Sequence, residues 1–185
     1  MKKFLSNSVV ALILIIIVVC GSTVVNTRVK LGKQCDALNE TFYSSSFVQE
    51  PTIADSLRKL CNASEQLVLL GTKYDVDDAE DAMEAIDDIR SAIRNQSNET
   101  ASIFKDYEEL LKETFALESA LSRMQLSETD KEAYASAQHS ASEAKADIDS
   151  SSYNDRVRAF QKRYHSFPTP QIAKLSGVSF PELFA

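Results

Sequence analysis

Residues 9–25 read VVALILIIIVVCGSTVV and carry no charge. An uninterrupted apolar rod can lie in a bilayer, lie in a large core, or be removed. Counted from Phe4 the uncharged run is twenty-two residues. That is about 33 Å of helix, enough for a hydrocarbon core of about 30 Å. A buried core helix is disfavoured because nothing else in this chain could cover so uniform a surface. A cleaved signal peptide is the competing reading, with Cys20, Gly21 and Ser22 as the small residues of a cleavage site. The length of the run and the flank of Lys2 and Lys3 favour a retained anchor. Lipid attachment at Cys20 is disfavoured, because Val19 is not the small residue such processing uses.

The expected organisation is therefore a short flank at 1–8, a transmembrane anchor at 9–25 and a helical domain at 26–185. This makes a single-pass protein of the cell membrane, with the lipid bilayer as one partner. Its orientation stays open: Lys2, Lys3 and the amino terminus oppose Arg28, Lys30 and Lys33, so the positive-inside rule nearly ties.

Four Gly, four Pro and no Trp argue against sheet sandwiches and Gly-rich nucleotide loops. The net charge is −7, yet residues 1–33 carry +5, which leaves −12 for the rest. So acidic a domain is not expected to bind nucleic acid, which calls for a basic face.

Helical periodicity covers the chain beyond the anchor. Leu31, Cys35, Leu38 and Phe42 share one face of a helix continuous with the span. Pro51 is placed to open the next helix, which shows Ile53, Leu57, Leu60, Ser64 and Leu67 on one side and Gly71 at its end. Asp75–Asp88 reads as an acid-rich helix start, continuing through Met83, Ile86, Ile89 and Ile93. After a polar interruption at 95–100, Ile103, Tyr107, Leu110, Leu117, Leu121 and Met124 resume the period. Ser127 and Asp130 give a capping signal for a last long helix over about 129–167. Its inner face is small at Ala137, Ala141 and Ala144 and large at Val157, Phe160, Tyr164 and Phe167. The predicted fold is all-α: an antiparallel up-down bundle of three to four long helices behind a transmembrane helix.

Motifs for chemistry are sparse. The run DVDDAEDAMEAIDD lacks the Gly and ligand spacing of a calcium loop, and a solvated helix start explains it better. His139 and His165 stand far from any Cys in sequence, and no CxxC, HExxH or GxSxG occurs. No catalytic residue, metal ligand, cofactor or small-molecule substrate is expected. Asn-x-Ser/Thr tripeptides at Asn39, Asn62, Asn95 and Asn98 read as chance occurrences in polar helices. Arg156, Arg158, Lys162, Arg163 and Lys174 form a basic cluster. It reads as a solvated helix face with cations near the helix C-terminus, ahead of a patch for anionic lipid or an acidic partner.

The stretch YNDRVRAFQKRYHSFPTPQIAKLSGVSFPELF resembles the C-terminal signature of the bacterial LemA family. Tyr153, Asn154, Val157, Phe160, Phe167, Pro168, Ile172, Ala173, Gly177, Phe180 and Phe184 are the matching positions, and Ser142–Glu143 falls where that family tends to place Thr-Glu. The likeness is specific over about the last 45 residues and architectural elsewhere. The Ala-Trp pair and Leu-Ile-Pro-Asn-Leu motif that usually come after the span are missing, which marks a divergent member. The resemblance implies a membrane-anchored helical protein without an established enzymatic activity. A scaffold or interaction module with protein partners is the expected function. An extracytoplasmic sensory or ligand-binding domain is the alternative, with an enzyme or metal-dependent protein behind both.

Physically, a tail from about 168 onward should fold back over the end of the bundle. Pro168 and Pro170 stop the helix and reverse the chain. Ile172, Leu175, Val178, Phe180 and Phe184 can then cover exposed apolar surface. Cys35 and Cys61 are expected to be spatial neighbours, since a turn near 45–50 sets them at one level of an antiparallel hairpin.

Overall fold

The computed structural model describes residues 2–44, 51–96, 99–166 and 169–185, with the side chains of 2–9, 13, 16, 17, 20 and 176 outside the description. Among the described residues there are seven α-helices and no strand. They are α1 (Lys2–Tyr43), α2 (Ile53–Lys73), α3 (Asp78–Arg94), α4 (Thr100–Leu121), α5 (Glu128–Asp149), α6 (Tyr153–Tyr164) and α7 (Thr169–Ser176). The all-α bundle is as expected. Among the described residues no helix is long and apolar enough to cross a membrane. Much of the uncharged run falls on residues whose side chains lie outside that description.

Helix α2 is the axis. Its periodic face, Leu57, Leu60, Ser64 and Leu67, is fully buried, and α3, α4 and α5 all pack on it. Directions alternate. Lys59 meets Asp147 and Lys73 meets Asp130, so α5 runs antiparallel to α2, while the buried Ser64–Thr114 hydrogen bond (3.0 Å) fixes the register of α4. The alanines of α5, Ala137, Ala141 and Ala144, are buried and bring its backbone close to α2, the most extensive helix pairing of the molecule.

Gly71 does not end α2. A Cβ there would come within 2.7 Å of Leu117 Cδ1 and 3.1 Å of Ala79 Cβ, so this glycine lets α3 and α4 approach. The helix runs on to Lys73 and stops in a Schellman motif built on a non-glycine residue. Asp75 adopts φ 57°, and the N–H of buried Val76 donates to Gly71 O at 2.9 Å. The start lies two residues past expectation: α2 opens at Ile53 rather than Pro51, and Thr52 caps it through a hydrogen bond from Asp55 N to Thr52 Oγ1 (3.0 Å).

At the opposite end of α2 from that cap, Ser127 caps α5 by accepting from Asp130 N (3.2 Å). The Asp130 carboxylate accepts from Lys73 Nζ at 2.8 Å on both oxygens, from Tyr74 Oη at 2.7 Å and from Ser127 Oγ at 2.6 Å. Tyr74 Oη in turn accepts from Ser127 N (3.0 Å), the task a reciprocal carboxylate performs in a capping box. Hydrogen bonds from Lys73, Ser127 and Tyr74 hold the Asp130 carboxyl well below the usual carboxylate range.

The expected helix over 129–167 is two helices. Ser150–Ser152 interrupts it, and the Ser151 hydroxyl accepts from Tyr153 N (3.3 Å). Short hydroxyl side chains compete with the helical ladder in this way. Helix α6 then runs beside α1 in antiparallel register, with Tyr153 against Phe42 and the Tyr164 hydroxyl bonded to Gln34. The anticipated α1–α2 hairpin is thus corrected. Leu31, Cys35 and Phe42 of the stripe are buried and Leu38 is half-buried, but Leu31 and Cys35 pack on α6 and α7, because α2 spends its apolar face on α3, α4 and α5.

Two glycines give opposite expectations. Gly71→Val should lower stability by about 2 kcal/mol or more through overpacking, measured by chemical denaturation. Gly32, where an added Cβ would meet nothing within 4 Å, should tolerate Ala with a gain of up to about 1 kcal/mol. A linkage test addresses Asp130, whose depressed pKa supplies stability above the unfolded value near 4 that is lost as pH falls through the folded value. The stability gap between the native chain and Asp130→Asn should therefore close as pH drops from 7 toward 2.

Candidate functional site at the aromatic junction

Tyr153, Asn154 and Phe184 of the C-terminal stretch come together where α1, α4 and α6 meet. Phe184 is 3% exposed and inserts among aromatic rings. Its centroid lies 5.1 Å from Phe104, 5.5 Å from Tyr107 and 5.6 Å from Phe42, and Phe42 stacks edge-on to Tyr153 at 5.3 Å. Such edge-to-face pairs add about 0.5–1.5 kcal/mol each beyond area burial.

Polar side chains read the backbone of the same tail. The Asn154 amide holds Phe184 at two points: Nδ2 donates to Phe184 O and Oδ1 accepts from Phe184 N, both at 2.8 Å. Glu182 O accepts from the hydroxyls of Tyr153 and Thr100, each at 3.1 Å. Gln161 Nε2 donates to Pro181 O at 3.1 Å. Desolvation pushes the Tyr107 phenol up to about 12 and raises Tyr153 as well, so both remain neutral and Tyr153 keeps the proton it donates to Glu182 O. The arrangement is a peptide clamp occupied by the chain's own C-terminus.

A second, smaller cluster lies along α1. Leu31, Cys35 and Ala173 are buried there, with Phe160, Tyr164, Val178 and Phe180 packed against them. Gly177 explains its place in the signature. With φ 68° it is the left-handed residue of a Schellman motif closing α7, where Val178 N donates to Ala173 O (3.0 Å). Val157 is fully buried in the main core, Phe160 stacks on Phe180 at 5.5 Å, and Ile172 is half-buried. Phe167 and Pro168 lie outside the described residues. The tail packs against α1 and the aromatic junction and carries the short helix α7, on which Leu175, expected to cover apolar surface, is 80% exposed.

The two thiols are not brought together. Cys35 faces α7, whereas Cys61 sits in the main core on the side of α2 toward Arg90 and Asp87 of α3. Both are buried and free, and burial pushes Cys35 up to about 11 and Cys61 up to about 12.

A cleft of about 180 Å³ adjoins the junction, lined by Thr41, Thr52, Asp147, Ser150, Ser152 and Arg156 among others. It offers hydroxyls, a carboxylate that Lys59 engages and a guanidinium, without imidazole or thiol. His139 is exposed beside Glu143, and among the described residues no group of three His, Cys, Asp or Glu side chains could hold a metal. No family model, curated protein or solved structure matches this chain.

Sequence periodicity does not single out Phe104, Thr100 or Gln161. Phe104 carries the one available signal, standing three residues before Tyr107 on a helix.

Phe184→Ala should cost about 3 kcal/mol or more by deleting a buried ring. Asn154→Ala should cost about 1–3 kcal/mol by leaving buried backbone groups unpaired. Urea denaturation checks both. A mild oxidant should form no Cys35–Cys61 bond in the native chain, and maleimide labelling of both thiols should become fast only on unfolding.

Proposed function

We propose that this chain is a membrane-tethered helical scaffold of the LemA type, working through protein partners at its helix surfaces and without catalytic chemistry. One observation carries the reading: a single helix joins the uncharged run to the aromatic junction. Helix α1 spans Lys2–Tyr43 without a break, about 63 Å. Its upper end buries Phe42, while Val10, Leu12, Leu14, Ile15, Val18, Val19 and Val25 are all more than half exposed. Such an apolar surface left in water is unfavourable, and a bilayer would cover it. Tyr153 and Asn154, two of the positions that suggest the LemA type, also clasp the tail, which gives that part of the motif a physical purpose. The same helix then transmits the position of the bundle to the membrane.

Alkaline carbonate extraction of native membranes tests the tether. The full chain is expected in the pellet, and Leu14→Lys with Val18→Lys should release it, since each central charge costs about 2.5–3.5 kcal/mol of insertion. Recovery of a soluble mature chain beginning near Thr23 would contradict the tether and support a removed signal peptide.

A further inference from the structure

Two basic segments far apart in sequence meet at one level of the structure. Arg28, Lys30 and Lys33 of α1 precede its first acid, Asp36. Lys162 and Arg163 close α6, Lys174 lies on α7, and no acid occurs between Asp155 and Glu182. The contact of Tyr164 with Gln34 sets the end of α6 beside the α1 cations. Ala173, packed on Leu31 and Cys35, brings Lys174 to the same region. All six cations are exposed, and none makes an ion pair among those the described residues show, although Arg163 lies over the Tyr164 ring at 5.6 Å. Asp155 and Glu182 belong to the other end of α6, near Tyr153, and Asp36 lines a recess with Arg58.

This collar sits just above the uncharged run. On α1, Lys33 is eight residues past Val25, about 12 Å along the axis, and Gln34 is about 14 Å. Long flexible lysine and arginine side chains span much of that distance, and the surface potential of an anionic leaflet decays over about 8–10 Å. In a chain that is −7 overall, six cations gathered against the end of an apolar helix are complementary to one surface in particular.

We propose that α1, α6 and α7 form a cationic collar that binds anionic phospholipid headgroups and seats the bundle on the membrane. The inference rests on the tether reading and adds to it the lipid class. Its structural content is the part supplied by α6 and α7, which a sequence window around the anchor does not contain.

The test uses the full chain reconstituted into vesicles of phosphatidylcholine with a minor fraction of spin-labelled lipid, either phosphatidylglycerol or phosphatidylcholine. The motionally restricted signal should favour the anionic label, roughly fivefold or more at low salt, and the preference should collapse in about 1 M NaCl. A triple variant, Lys162→Gln with Arg163→Gln and Lys174→Gln, should lose at least half of that preference while circular dichroism and melting stay unchanged. A variant that inserts and folds normally with full anionic preference would overturn the collar and leave the tether standing. A native chain that fails to float with either vesicle would overturn the tether, and the collar with it.

Discussion

The ring of Phe184, seated among Phe42, Phe104 and Tyr107, ties α4 to the paired helices α1 and α6. Phe42 is the upper end of α1, Phe104 and Tyr107 belong to α4, and the Asn154 clamp on Phe184 belongs to α6. Without that ring, α1 would keep its packing on α6 and α7 along Leu31 and Cys35, and a smaller contact with the bundle through Phe42 and Tyr43. Stability of the bundle and coupling of the bundle to α1 are therefore separable properties.

Within the bundle the governing constraint is different. Helix α2 must accept α3, α4 and α5, and it does so with small residues at its contacts. Gly71 admits Leu117 and Ala79, and the alanines of α5 allow close approach to α2. The Ser64–Thr114 hydrogen bond satisfies both buried hydroxyls and fixes one sliding register. The network of Lys73, Tyr74, Ser127 and Asp130 ties the C-terminal end of α2 to the start of α5. Both ends of α2 are thus pinned, and its middle is packed.

Periodicity makes the faces legible. Leu31, Cys35, Leu38 and Phe42, the apolar side of α2, and the small-then-large face of α5 and α6 are where the sequence pattern puts them. The burial of Phe184 is legible too, because a run of aromatics after two prolines has to cover something. Partners are not, since a stripe states that a helix must be covered and does not name the cover. Hence the pattern points Cys35 toward α2, when α7 covers it. The break at Ser150–Ser152 is hidden because serine fits a helix surface as well as a turn. Gly71 misleads because a glycine for close approach and a glycine for chain reversal look alike in sequence, and Asp75 takes the reversal instead. The basic residues of α6 read as a solvated face until the register with α1 sets them beside Arg28, Lys30 and Lys33.

Hydrogen exchange on the full chain and on a chain lacking residues 181–185 measures the coupling at the junction directly. Deleting those residues should raise exchange sharply across 31–43 of α1 and 153–164 of α6, while α2–α5 keep most of their protection. Unchanged protection of α1 and α6 after the deletion would show that the C-terminal ring does not join α1 to the bundle.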